Sequence, residues 1–194
     1  MRIYNLAILA SGSGTNAENI IKSFQERAEL KVQLIATNKP SAKVLERAKR
    51  FGIPTHTFTK GEMNSGELLS TLQTFEIDYV ILAGFLLKIP ENLLSAFPDR
   101  IINIHPSLLP KYGGKGMYGS KVHEAVIEKN ETESGITIHL VNEEYDKGAF
   151  LFQKACEVLA DDTPEKLANR IHALEYAHFP EIIKRYILEK AGAN

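Results

Sequence analysis

Cysteine is nearly absent from this 194-residue chain: the single Cys156 excludes an internal disulfide and any zinc site built on cysteines. Its neighbours make it read as a small packed hydrophobe, not a nucleophile. An excess of charge is also lacking, since the formal net charge is -1 with acids and bases interspersed. Nothing therefore marks a nucleic acid or an anionic membrane as a partner. Long apolar runs are missing too; the stretch 79–85 falls far short of a bilayer span. Met1-Arg2-Ile3-Tyr4 leads directly into a strand pattern without the apolar segment and small-residue cleavage site of a signal peptide. A cytoplasmic location is expected. Internal repeats, low-complexity tracts and linkers are not found, and the length suffices for one domain with a sizeable core, so residues 1–194 are expected to form a single domain.

What is present is an alternation of apolar strand patterns with amphipathic segments. Residues 3–10 read as a continuous apolar strand of the kind buried on both faces of a parallel sheet. Ser11-Gly12-Ser13-Gly14-Thr15-Asn16 follows, then a helical pattern through Asn19, Ile20, Ile21 and Phe24. A strand, a Gly/Ser turn and a helix start can form an anion site, because backbone N–H groups and the positive helix end face the turn. A tight turn alone reads equally well. No lysine follows the glycines as a nucleoside triphosphate loop requires, and Ala17 stands where a dinucleotide fingerprint has its third glycine.

Further strands are expected at 32–37, 53–58 and 79–83, with helices at 42–51, 67–75 and 90–97, the last with Pro90 in its first turn. Gly52 is expected to cap the second helix, and residues 61–65 read as a polar loop. The exit Gly84-Phe85-Leu86-Leu87-Lys88-Ile89-Pro90 is unusually apolar for a loop, which suits either a slot for a flat ligand or packing under a helix. This alternation predicts an α/β fold with a mostly parallel sheet and helices on both faces. Ligands in such folds bind beyond the carboxyl ends of the strands.

The chain is organised around Asn103-Ile104-His105-Pro106-Ser107-Leu108-Leu109-Pro110. Residues two apart on a strand share a face, so Asn103 and His105 look out together, and Pro106 keeps His105 extended. The turn at 11–16, the exit after Ala83 and the Asn103/His105 pair all lie at strand carboxyl ends and are expected to meet in one cleft. Residues 110–119 are rich in glycine and read as a candidate lid. Strands are then expected at 135–141, where Thr137 and His139 share a face with Gly135, and at 150–158, separated by an acidic turn containing Asp146-Lys147-Gly148. Thr163 is expected to cap a long helix from Pro164 that Pro180 interrupts.

Read together, the Asn103 to Tyr112 run and Asp146-Lys147-Gly148, about forty residues downstream, resemble the formyltetrahydrofolate-dependent formyltransferases. Residues 11–16, Leu82-Ala83-Gly84-Phe85 and Glu175-Tyr176-Ala177-His178-Phe179-Pro180 favour the glycinamide ribonucleotide branch of that family. The resemblance covers nearly the whole chain. It implies a Rossmann-like formyltransferase fold and transfer of a formyl group from 10-formyltetrahydrofolate to the glycinamide amine in purine (IMP) synthesis, with no metal. It further implies that Asn103 and His105 donate to the oxyanion, and that Asp146 keeps His105 charged by raising its pKa. Gly14, Thr15 and Asn16 would take the ribose phosphate and Glu175 the glycinamide end. Leu86, Leu87, Lys88 and Ile89, with Asn103 and Val141, would hold the folate. The chain departs from the pattern in having Leu87 where several relatives have arginine, in lacking a second arginine between Lys60 and Glu67, and in two extra glycine-rich residues within 113–119.

Three rival readings remain at this stage. A methionyl-tRNA formyltransferase or a formyltetrahydrofolate hydrolase would carry an additional domain for which 194 residues leave no room. A non-catalytic nucleotide-binding module would use residues 11–16 but have no need of His105 facing Asp146. An NAD-dependent dehydrogenase would end its second strand in an acid, where Ala36-Thr37-Asn38 stands. The expected partners are small molecules, with the protein a monomer or homodimer.

Overall fold

The computed structural model describes residues 2–192, and the chain divides into two compact units, Met1–Asn103 and Ile104–Asn194. Strands follow one another across a seven-stranded sheet in the order β3-β2-β1-β4-β5-β6-β7. The first five are β1 (Tyr4–Leu9), β2 (Leu30–Thr37), β3 (Thr55–Thr57), β4 (Tyr79–Leu82) and β5 (Ile101–His105), all parallel. The last two, β6 (Glu133–Leu140) and β7 (Phe150–Glu157), are antiparallel. The α/β architecture with a mostly parallel sheet is thus as the alternation predicts.

In the first unit, the apolar runs become the buried centre of the sheet. Leu6, Ala7, Ile8 and Leu9 of β1 are fully buried between β2 and β4, which explains why that strand shows no polar alternation. Helix α1 (Thr15–Phe24) buries Ala17, Ile20, Ile21 and Phe24, the i, i+3, i+4, i+7 stripe, and contacts β2 and α2 (Val44–Arg50). Gly52, at φ +65°, closes α2 by donating its N–H to Lys49. Strand order reverses between β1 and β4, so the segments leaving these two strands lie at the switch point where such sheets bind ligands.

One expectation fails in this unit. Residues 61–65 lie in a helix, α3 (Lys60–Ser65), which is followed by α4 (Glu67–Thr74). The reason is a capping box: Glu62 N–H donates to Thr59 Oγ1 (3.2 Å), and Thr59 N–H donates to the Glu62 carboxylate (2.5 Å). Met63 supplies a buried anchor, and Gly66 at φ +98° ends the turn. Helix α5 (Glu91–Ala96) begins one residue later than expected, with Pro90 as its N-cap.

The second unit continues from the end of β5. Helix α6 (Ser120–Glu128) buries Val122, His123 and Val126, and the 29-residue α7 (Pro164–Gly192) packs against α6, β6 and β7. Thr163 caps α7 as expected, accepting from Lys166 N–H at 3.3 Å. Pro180 does not interrupt this helix. It forgoes one backbone donor, but Phe179, Pro180, Ile182 and Ile183 are all buried, and that apolar burial carries the helix through. Among the described residues, no helix is long and apolar enough to cross a membrane.

Candidate active site

His105 ends β5 almost wholly buried, with a polar group opposite each ring nitrogen. Nε2–H donates to the Tyr112 carbonyl at 2.7 Å, while Nδ1 faces Asp146 Oδ2 at 3.7 Å. A third group completes the centre: His139 Nε2 lies 3.6 Å from Asp146 Oδ1, and its Nδ1–H donates to the Leu140 carbonyl at 2.7 Å. Each carbonyl fixes a tautomer, because a carbonyl only accepts. In neutral His105 the nitrogen left as acceptor, Nδ1, is the one that faces the Asp146 carboxylate.

The local chain explains why these groups converge. After Pro106, Ser107 donates its hydroxyl to the Lys111 carbonyl (2.6 Å), folding the segment back so that the Tyr112 carbonyl reaches His105. Thr137 of β6 pins this segment twice, donating to the Ser107 carbonyl (2.7 Å) and accepting from Leu109 N–H (3.0 Å). Gln153 adds donors to the Leu109 carbonyl and to Thr137, both at 2.9 Å. Asp146 occupies the left-handed region at φ +55° and accepts from Gly114 N–H at 2.8 Å. Two residues on, a Cβ at Gly148 would lie 1.7 Å from the Leu140 carbonyl oxygen, so only glycine lets the acidic turn close against β6.

Electrostatics follow from burial and these partners. Burial lowers the His105 imidazole below its ordinary value, and the opposing push from Asp146 and from the Tyr112 carbonyl does not outweigh it. Asp146 does raise the His105 pKa, but it does not hold the ring charged, because desolvation is the larger effect. Burial also acts to raise the Asp146 carboxyl. Hydrogen bonding to His139, the His105 ring and the Gly114 N–H reverse that and hold it below the usual carboxylate value. Asp146 is therefore ionised and His105 neutral at neutral pH.

Asn103 lies two residues before His105 on β5, half-buried and in register with Leu82 of β4. Glu175 is buried on α7, and Val141 directly follows β6, half-buried. In the first unit, the turn at 11–16 gathers the exits of three strands. Ser11 N–H donates to the Gly84 carbonyl (3.0 Å), Ser11 Oγ donates to Asn38 Oδ1 (2.6 Å), and Leu86 N–H donates back to Ser11 Oγ (3.1 Å). Gly14, at φ +72°, is the N-cap of α1, and Thr15 and Asn16 are its first residues. The turn thus meets the segment that carries Leu86, Leu87, Lys88 and Ile89; Ile89 is buried, and Leu86 and Lys88 are exposed. Among the described residues, no group of three His, Cys, Asp or Glu side chains could hold a metal ion.

The sequence model of the formyl transferase family matches residues 4–183. The chain belongs to this family. It is 37% identical over 187 residues to a phosphoribosylglycinamide formyltransferase of Bacillus subtilis (strain 168), covering 93% of each chain. It is 44% identical over 185 residues to the chloroplastic phosphoribosylglycinamide formyltransferase of Arabidopsis thaliana, covering 92% of this chain and 63% of the plant protein. The crystal structure of a phosphoribosylglycinamide formyltransferase from Bacillus halodurans superposes with a TM-score of 0.86 at 38% identity, covering 94% of this chain and 95% of that one.

Sequence reasoning missed His139 as a partner of Asp146, and Thr137 as the pin of the 107–109 segment. A signal was there: Thr137 and His139 alternate along one strand face. It showed that they look the same way, but not what they meet.

Proposed function

We propose that the protein transfers the formyl group of 10-formyltetrahydrofolate to the amine of glycinamide ribonucleotide, a step of purine synthesis. The observation that carries this reading is the buried His105–Asp146 pair at the end of β5, with Asn103 two residues upstream on the strand. The amine nitrogen attacks the formyl carbon, negative charge gathers on the formyl oxygen, and the bond from carbon to the folate nitrogen then breaks. One proton leaves the amine and one arrives on the departing folate nitrogen. Asn103 supplies an amide donor to the oxyanion, and His105 supplies its Nε2–H, the donor that the Tyr112 carbonyl engages in this structure. The imidazole–carboxylate group accepts the amine's proton and returns it to the leaving nitrogen. A neutral His105 suits this part better than a charged one, since only the neutral ring can accept.

Gly14, Thr15 and Asn16 take the ribose phosphate on backbone N–H groups at the start of α1, and Glu175 engages the glycinamide end. The folate lies along Leu86, Leu87, Lys88 and Ile89, with Asn103 and Val141. The family match runs through both compact units, which supports reading residues 1–194 as one formyltransferase domain. The near balance of acidic and basic residues supports small molecules, not nucleic acid or membrane, as partners, and the single cysteine supports a cytoplasmic setting.

The test is an assay of purified protein with glycinamide ribonucleotide and a 10-formylfolate, following release of the deformylated pterin. Release that depends on the amine is the expected result. Equal release in its absence would show a hydrolase, and none in either case would refute the proposal.

A further inference from the structure

The turn at 11–16 is held from outside by α2, and the two bonds that hold it fall on successive carbonyls. Val44 N–H donates to the Gly12 carbonyl at 3.2 Å, and Arg47 Nε–H donates to the Ser13 carbonyl at 2.7 Å. In a planar trans peptide the C=O and the following N–H point in opposite directions. Tying the Gly12 and Ser13 carbonyls to α2 therefore turns the N–H groups of Ser13 and Gly14 away from it. Gly14 is pressed against the same helix, with space for no side chain: a Cβ there would come within 2.5 Å of Val44 Cγ2.

Arg47 also closes on Glu18, in the first turn of α1, through its guanidinium. A bare carboxylate so near a helix start would oppose an anion bound there. Lys22 Nζ at 2.7 Å and Arg50 at 3.5 Å complete a cluster around Glu18, whose carboxyl is pushed down to about 2 by hydrogen bonds from Lys22 and Arg47. Arg47 alone of the three cations joins this cluster to the backbone of the turn.

We propose that Arg47 is a positioning residue for phosphate binding: it orients the peptide between Ser13 and Gly14 so that its N–H faces the anion, without touching the substrate itself. This inference rests on the reading that residues 14–16 take the substrate's phosphate. It assigns to α2, outside the turn, the control of affinity for the phosphorylated substrate.

The test uses the full chain and the variants Arg47→Ala, Arg47→Lys and Arg50→Ala, with ribose 5-phosphate as the calorimetric probe and thermal melting as a check of folding. Arg47→Ala is expected to weaken ribose 5-phosphate binding about tenfold, the loss of one charge-assisted hydrogen bond. In the turnover assay it should raise KM for glycinamide ribonucleotide by a similar factor, leaving kcat and KM for the dephosphorylated glycinamide ribonucleoside within about twofold. Arg47→Lys keeps the charge beside Glu18, but one ammonium replaces a planar fork and cannot hold both partners, so about threefold of the affinity should be lost. Arg50→Ala should leave affinity as in the unaltered protein.

Unchanged affinity in Arg47→Lys, an equal loss in Arg50→Ala, or a parallel rise in KM for the two amines would each overturn the proposal. Arg47→Lys decides the matter if the alanine variant does not fold. The ribose 5-phosphate titration needs no turnover, so it judges Arg47 even if formyl transfer fails. A native protein that does not bind the sugar phosphate sinks the inference and leaves formyl transfer to its own assay.

Discussion

The turn after β1 and the centre at the end of β5 are both built at strand carboxyl ends, yet they use different materials. The turn offers backbone N–H groups and small side chains, and the carboxylate in the first turn of α1, Glu18, is neutralised by three cations from α1 and α2. The centre offers titratable side chains, two imidazoles and a carboxylate; burial lowers the pKa of His105, and hydrogen bonding to His139, the His105 ring and the Gly114 N–H lower that of Asp146 against the effect of burial. A backbone site recognises charge and shape without changing protonation. A desolvated imidazole–carboxylate site can hold and pass a proton. Substitutions should divide accordingly, those at the centre acting on turnover and those at the turn acting on affinity.

The largest effect expected is at the centre. Removing one oxyanion donor, by His105→Ala or Asn103→Ala, should raise the barrier by about 2.7–4 kcal/mol, roughly a hundredfold to a thousandfold in kcat, in protein that thermal melting shows to be folded. Near-normal turnover by either folded variant would erase the distinction between the two regions.

Next comes acid sensitivity, which should separate the regions by stability. His123, buried on α6, has its pKa lowered from 6.5 to about 4 by burial and by the nearby His172 and His105, against the opposing Glu124. The unfolded chain protonates this ring at its ordinary pKa and the folded chain resists. The contribution is therefore intact above pH 6.5 and is lost as pH falls toward 4, a drop of roughly 3 kcal/mol. His105 and His172 are lowered by burial as well and act in the same direction. Hydrogen exchange at falling pH should show residues 104–194 losing protection first, and His123→Gln should flatten the dependence. Equal loss in residues 2–103 would contradict the assignment of acid sensitivity to the second unit.

The smallest effect sharpens the contrast within the turn. Gly14→Ala must hold φ +72° and press on Val44, so a loss of about 1–2 kcal/mol in stability is expected from the backbone alone, with weaker ribose 5-phosphate binding. Gly12→Ala has nothing within 4 Å and should change stability by no more than about 0.5 kcal/mol. Thermal melting of the pair checks this.

Much of the fold was legible because strands buried on both faces leave continuous apolar runs, as at Leu6 to Leu9 and Tyr79 to Leu82. The 61–65 segment was misread because its composition is polar; the Thr59/Glu62 box that makes it helical is a signal of two residues, easily passed over. Pro180 was misread for a different reason. A proline's cost is local and visible in sequence, whereas the burial of Phe179 and Ile183 that offsets it is tertiary. The pairing of His105 with Asp146 came from family resemblance, since side chains so distant in sequence carry no spacing signal. His139 had a strand face but no visible target.

The amino-acid sequence by itself determined the α/β alternation, the glycine turn ahead of α1 and the shared face of Asn103 and His105, because each depends on periodicity or on the conformational range of neighbouring residues. Tertiary structure alone decided the protonation of the centre and the anchoring of the turn. Both depend on which groups are stripped of water and which carbonyls meet which donors, and those are properties of distance in space between residues far apart along the chain.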